Sequence, residues 1–487
     1  MHTKTESIIL ALCLSSTSVV ADPLVSSWTT IESGSYARIY TTTATEASKT
    51  AVTTWSRGRG TQSQPVYAGV TEVNSSADWV YIKTSGLGHH VMGPWYLNEG
   101  KTQLFPNYPA NSDTTYRFTR NPSIPDSKSL TGLGAIGFMV DGIALFDGRD
   151  GFSYSNSNGQ DGNPMNGIRG DGVWVRDAYV NEGVTFDAAG AHQAGPEHHY
   201  HANPPALRHS LGDHVDYDEA TNTYIENPTD LHHSPILGWV RDGIPIYGPY
   251  GYADALDPTS EMRRMISGYQ ARDGSMETDN LATTGRNLLP AWAARTQGRT
   301  TAVASNFVGP TVSTAYPIGH YMEDYEYLGD LGFIQGTDFD LNEQNARFCV
   351  TPEYPDRTWA YFVSIEADGT PKFPYNIGRT YFGTPSSSAV NSITETVTTE
   401  FSLLDGHVPT NKAITQDRDS DELVITWSTL QGGHYEIQTS TDMQSWTGNG
   451  EFVAASNELD GVFDTSTANK QFFRINFTGE LEDNDSE

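Results

Sequence analysis

Gly137-Phe-Met-Val-Asp-Gly-Ile-Ala-Leu-Phe146 and Gly238-Trp-Val-Arg-Asp-Gly-Ile-Pro-Ile-Tyr247 match almost position by position. Each sets Asp-Gly between two apolar runs. Asp and Gly tolerate positive φ at both central positions of a two-residue turn, so each stretch predicts a β-hairpin. Ile365-Glu-Ala-Asp-Gly-Thr-Pro-Lys-Phe373 is a third, looser copy. The first two read either as a duplication or as two hairpins alike by chance.

Outward from these hairpins the texture stays the same from Asp22 to about Pro385. Short strand-like runs, such as Asp78–Thr84 and Ala360–Ile365, are broken by Gly, Pro, Asn and Asp. One helix is expected over Glu261–Ile266, capped by Thr259 or Ser260 and stopped by Gly268. Ser386 to about Arg418 is polar and poor in apolar clusters, and reads as a linker. Beyond it, Glu422–Trp427, His434–Thr439 and Gln471–Phe477 alternate partially with period two, which suggests a small β-sandwich of fibronectin type III kind over 418–478. The fold class is therefore all-β, with mostly antiparallel hairpins, few short helices and a small C-terminal β-sandwich domain. The domains are expected at 22–385, with a linker at 386–417, and at 418–478. Residues 479–487 hold five acids and form an acidic tail.

Composition excludes several partners. The chain has 487 residues, 29 Lys+Arg and 60 Asp+Glu, a formal net charge of -31. Such a field repels nucleic acid and anionic membrane. Past the N-terminus there is no apolar run long enough for a membrane span. Met1–Ala21 reads as a secretory signal: a weakly basic start, an apolar stretch from Ile8, and Val-Val-Ala at the end. A secreted or periplasmic location follows. The mature chain then keeps one cysteine, Cys349, which is read first as a small buried hydrophobe.

Histidine carries the chemistry. Of 14 histidines, eight lie between 192 and 233, where an even spread would put about one. They are His192, His198, His199, His201, His209, His214, His232 and His233. On a strand, Glu197, His199 and His201 share a face, while His198 and Tyr200 face the other way. His-x-His on a strand aims two imidazoles at one point. His199 and His201, then His192 and His232, are the expected metal ligands. With no Cys or Met nearby, an all-His or His-plus-carboxylate site suits Cu(II), Zn(II) or Fe(II), copper slightly ahead of zinc. Glu197, Tyr200 and Asp242 are weak catalytic candidates, and Asp242 reads more readily as a turn residue. Asp147, Asp150 and Asp161 sit in an oxygen- and Gly-rich loop that offers a possible Ca²⁺ site, with a solvated turn as its plainer reading. The leading function is a metal-dependent extracellular enzyme acting on an unidentified substrate. The alternative is non-catalytic metal capture or surface binding.

These residues resemble a known family. His192, His198-His-Tyr-His-Ala-Asn-Pro204 and His233-Ser-Pro-Ile-Leu-Gly-Trp-Val-Arg-Asp-Gly-Ile-Pro-Ile-Tyr-Gly-Pro249 together look like the YHYH domain family of secreted bacterial proteins. His90–Tyr96, Met262–Tyr269, Glu323–Tyr327, Thr351–Pro355 and Pro374–Gly378 extend the resemblance over roughly Asp22 to Pro385. Position 198 is His where the family tetrapeptide has Tyr, which puts in doubt any role of that hydroxyl and leaves the His-x-His pair intact. The resemblance implies an exported protein but no settled activity. The C-terminal module is similar to small β domains that end many exported bacterial proteins.

Overall fold

The structure is a computed structural model that describes residues 22–31, 34–404, 409, 411–417, 422–464 and 472–478. The expected signal at 1–21 and the acidic tail at 479–487 lie outside the described residues. Among those described, strands dominate and helices are short, the longest being Ala291–Gln297. None is long and apolar enough to cross a membrane.

The two matching stretches form the centre of an eight-stranded sheet. Its strands, numbered here in chain order, are β1 (Gly137–Met139), β2 (Ala144–Leu145), β3 (Ala191–Ala194), β4 (Glu197–Tyr200), β5 (Ile236–Val240), β6 (Pro245–Tyr247), β7 (Ala346–Cys349) and β8 (Thr358–Phe362). Their spatial order is β3-β4-β2-β1-β5-β6-β8-β7. That order repeats itself about the middle. In each half a hairpin (β1–β2, β5–β6) is followed by a strand parallel to its second arm (β4, β8), which is itself edged by an antiparallel partner (β3, β7). The register keeps the same relation. Phe138 pairs with Trp239 at the centre, flanked by Met139–Gly238 and Gly137–Val240. The sheet therefore has a pseudo-twofold axis between β1 and β5, and of the two readings of the paired hairpins it supports duplication. Glycine is required at the axis: a Cβ on Gly137 would stand 2.4 Å from the Trp239 carbonyl oxygen, and one on Gly238 2.5 Å from that of Phe138.

The turn type differs from the expected two-residue form. Only Gly142 (φ 79°) and Gly243 (φ 78°) take positive φ, while Asp141 and Asp242 do not. Gly142 N–H donates to Met139 O and Met139 N–H to Ile143 O, and the second hairpin repeats both bonds. This is a three-residue loop with a bulge, in which the aspartate does side-chain work instead. Asp141 Oδ1 accepts from Ile143 N–H (3.1 Å) and Oδ2 from Tyr200 O–H (3.0 Å). Asp242 does the same with Ile244 N–H (3.2 Å) and Tyr361 O–H (2.5 Å). Each clamp ties a hairpin tip to the parallel strand that pairs with the hairpin's second arm. The third Asp-Gly copy repeats the same loop: Gly369 N–H donates to Glu366 O, Glu366 N–H to Thr370 O, and Thr370 N–H to Asp368 Oδ1, with the bridge Ile365 to Pro371 beyond them.

A five-stranded sheet packs against the first. Val73, Val80, Ile82, Tyr116 and Phe118 from it share one core with Phe138, Leu145, Trp239, Ile246 and Tyr361. Each such buried aliphatic or aromatic side chain contributes about 1.5–3 kcal/mol relative to exposure. Two of its strands, Ser388–Val390 and Thr398–Ser402, fall inside the expected linker. Their Ser and Thr content misled because they are edge strands with little to bury. The expected helix at 261–266 is also replaced, by the strand Met262–Arg264 paired with Tyr250–Tyr252. Six residues nucleate a helix poorly, and Arg263 is held instead by both oxygens of Asp340.

The C-terminal region forms two three-stranded antiparallel sheets around Ile425, Trp427, Tyr435, Ala454 and Ile475. It meets the larger part through Gln431, which accepts from Tyr36 N–H and takes Tyr67 O–H on its carbonyl. Cys349 is buried in the main core, its thiol pushed up to about 12 by that burial.

Candidate metal centre

The outer strands of the first half-sheet bring three imidazoles together. In β3 and β4, His192 and His199 are direct cross-strand partners, so their rings lie side by side on one face, 4.6 Å apart. His201, two residues beyond His199, joins them from the same face. All three residues are at most 5 % exposed, and one ring nitrogen of each lies within 4.8 Å of the others.

The hydrogen bonds fix which nitrogens point inward. His199 Nδ1 lies 3.1 Å from Glu197 O, and His201 Nδ1 lies 2.7 Å from Asp147 O. A carbonyl only accepts, so both Nδ1 atoms carry the proton. His192 Nδ1 lies 2.7 Å from Thr185 Oγ1, whose own proton goes to Glu182 O at 2.6 Å. His192 Nδ1 therefore donates as well. In neutral rings all three Nε2 atoms are then bare lone pairs. Those of His199 and His201 face each other at 3.0 Å, and that of His192 has no hydrogen-bond partner. Two lone pairs at that distance repel unless a cation lies between them. Burial pushes the pKa of each ring down, so a proton fills that role poorly and a metal ion fills it well. Tying each Nδ1–H to an acceptor is how proteins orient metal-binding imidazoles.

A fourth group stands beside them. Glu182 ends a short helix, Ala178–Glu182, capped by Asp177 on Val180 N–H. Its Oε2 lies 3.5 Å from His201 Nε2 and 3.7 Å from His192 Nε2. Burial, reinforced by the Asp150 charge, pushes its carboxyl up to about 8. Its side chain is 27 % exposed, more open than any of the three rings. Aromatic rings close the rest. Phe146 stacks on His199 at 3.8 Å, and Phe186 packs against both His192 and His201. Phe186 also lines a neighbouring cleft of about 270 Å³ with Tyr179, Gly183 and Ala202.

The other expected residues lie elsewhere. His232 is exposed and packs at a tilt against His214, 4.1 Å away, with no part in the three-histidine group. The loop before β5 carries it toward Tyr250 and not toward β4. Glu197 supplies its carbonyl to His199, and its carboxyl is in no group that could hold a metal. Tyr200 points to the opposite face, where it donates to Asp141. Asp242 is at the second hairpin tip, satisfied by Tyr361, Ile244 and Gly383, which is a turn role. The three acids of the calcium expectation are each committed to other partners. Asp147 binds Arg149 and Thr131, Asp150 pairs with Arg176, and Asp161 accepts from His320 and Tyr321. Glu182 escaped the sequence reading because it precedes the histidine window and no spacing links it to His-x-His.

The pseudo-twofold axis gives a built-in comparison. Matching the two halves by register sets His192 against Arg347, His199 against Ala360 and His201 against Phe362. The same backbone in the other half carries Ala360, Phe362 and a buried Arg347 held by Tyr252 O and Ala253 O, so three imidazoles are not a demand of the fold.

A protein-family model described as YHYH protein matches residues 115–375, more than half of the 487 residues and the whole eight-stranded sheet. No curated protein and no solved structure matches the chain.

Proposed function

The chain belongs to the YHYH protein family, and from that premise we propose that it is an exported metalloenzyme with His192, His199 and His201 as ligands of one transition-metal ion. The observation that carries this is the pair of bare Nε2 atoms at 3.0 Å, with every Nδ1 already donating. Such an ion would polarise a bound substrate or water. At metal–nitrogen distances of about 2.0–2.1 Å, ligands at right angles stand ~2.9 Å apart and tetrahedral ones ~3.4 Å. The 3.0 Å spacing of one pair lies within the range either geometry can reach on closing around an ion, and an all-imidazole donor set suits Cu(II) or Zn(II). The chain's own contribution is positional. Thr185 and two carbonyls aim the rings, Phe146 and Phe186 pack around them, and Glu182 places a carboxyl at the open side. That last group favours an enzyme over metal capture, because a carboxyl beside an open metal position can exchange a proton with a bound water or substrate. The N-terminal Met1–Ala21 stretch supports export, and the C-terminal sheets serve as an accessory module of fibronectin type III kind.

Element analysis of protein purified without a His tag tests the reading, beside His199→Ala, His201→Ala and His209→Ala. His209 is exposed and bonded through Nδ1 to Val215 O. Loss of metal in the first two variants and not the third is expected. Full metal content in both strand variants would move the site elsewhere. Several weak ions per chain, insensitive to Glu182→Gln, would favour capture.

A further inference from the structure

The opposite face of β4 carries a second, independent cluster. His198 points away from His199 and meets His90, from the segment preceding the short strand Val91–Met92, and Asp187, from the loop preceding β3. One ligand atom from each of the three lies within 4.8 Å of the others. Both rings are buried, and all four of their nitrogens are without a hydrogen-bond partner among the described residues. A neutral imidazole carries one donor and one acceptor, and natural proteins rarely bury both unmet. Asp187 is already fixed for a further bond. Its Oδ1 accepts from Ala189 and Ala191 N–H, while Oδ2 accepts only from Gly93 N–H at 2.8 Å and keeps one lone-pair direction free. Trp95 packs edge-on against His198 and is itself anchored to Ala191 O. Gly88 leaves room for His90, since a Cβ there would stand 2.5 Å from the ring.

A neighbouring group, His89–His90–Asp141, shares His90; in it His89 keeps one unpartnered nitrogen, Nδ1, while its other nitrogen and Asp141 are engaged. His89 Nε2 is 2.8 Å from Ser210 Oγ, and Asp141 serves the first hairpin clamp. The His90–His198–Asp187 group has both imidazoles wholly unpartnered, four nitrogens in all.

We propose that His90, His198 and Asp187 bind a second divalent first-row transition ion. Two imidazole nitrogens and one carboxylate oxygen suit zinc, iron(II) or copper, and are poor ligands for calcium or magnesium. The site joins the His89–Tyr96 segment to the sheet edge, and of its three groups only Asp187 lines the cleft of about 270 Å³. Its effect is to pin that segment, and turnover at the first centre does not pass through it. It does not rest on the reading of the first centre, because no ligand is shared.

The test is Co(II) titration of full-length, untagged, chelator-stripped protein, followed by d–d absorption and element analysis. Wild type is expected to take two equivalents, His90→Ala and His198→Ala one, His199→Ala one, and His90→Ala/His199→Ala none. The metal-induced rise in melting temperature is expected to shrink in His90→Ala without loss of the His199-dependent spectrum. Should His198→Ala fail to fold, His90→Gln, off the strand, carries the same expectation. One equivalent in wild type, lost on His199→Ala and kept on His90→Ala, would overturn the second site and leave the first. Two equivalents retained in both His90 variants would overturn it as well.

Discussion

Thr185→Val tests the proton arrangement on which the first centre depends. Val approximates the shape of Thr but has no hydroxyl, so His192 Nδ1 loses its 2.7 Å acceptor and Glu182 O loses a 2.6 Å donor. An unmet buried N–H costs about 1–3 kcal/mol, and loss of such an orienting partner typically weakens a metal site 10–100-fold. With free metal at 100 times the wild-type Kd, binding stabilises wild type by about 2.7 kcal/mol. A 10–100-fold weaker site at the same concentration gives only about 1.4–0.4 kcal/mol. The metal-dependent melting shift should therefore fall to half or less. Competition with a chromophoric chelator measures Kd directly, and Thr185→Ser, which keeps the hydroxyl, should restore most of the affinity. A folded Thr185→Val protein with unchanged Kd would show that Thr185 does not set the His192 tautomer, and the argument for three inward lone pairs would fail.

Three further outcomes follow from the same structure. Glu323 is buried, accepts from Val175 N–H and Gln297, and is pushed up to about 8 by desolvation. The folded state thus holds a proton that the unfolded state releases near its ordinary value. Stability should fall as pH rises from about 4.5 to 8, by up to ~1.4 kcal/mol per unit for this group, and Glu323→Gln should flatten that slope in metal-free denaturation curves. Tyr200→Phe and Tyr361→Phe should each cost about 1–3 kcal/mol, by similar amounts because both remove the same clamp, and Tyr361→Phe should leave metal content unchanged. A chain ending after Leu404 should fold and keep its metal, while one ending at Pro385 should melt lower, because it lacks the strands that pair with Thr114–Thr119 and Val70–Ser75.

What could be read in the sequence was local. The Asp-Gly stretches announced the two central hairpins, and strand alternation put His199 and His201 on one face, because both depend on neighbours a few residues apart. The parallel pairings of β2 with β4 and β6 with β8 join segments more than 50 residues apart. No turn chemistry marks them, so the palindromic sheet was not legible. His90 and Asp187 were missed for the same reason: the fold brings the segment around residue 90 across to β4. Glu182 lies on a helix too short to have an amphipathic signature. His232 failed in the opposite way, since its proximity in sequence to the cluster carried no information about the path of its loop. The three acids at Asp147, Asp150 and Asp161 looked like a cation site because the sequence does not show Arg149, Arg176 and His320 arriving as their partners.

Anomalous diffraction from crystals of the untagged protein grown with Cu(II) addresses the central claim most directly. The account predicts a peak bonded to Nε2 of His192, His199 and His201 at about 2.0–2.1 Å, with each Nδ1 still on Thr185, Glu197 O and Asp147 O. Copper bound only at other residues, with His199 Nε2 and His201 Nε2 sharing a proton, would contradict it.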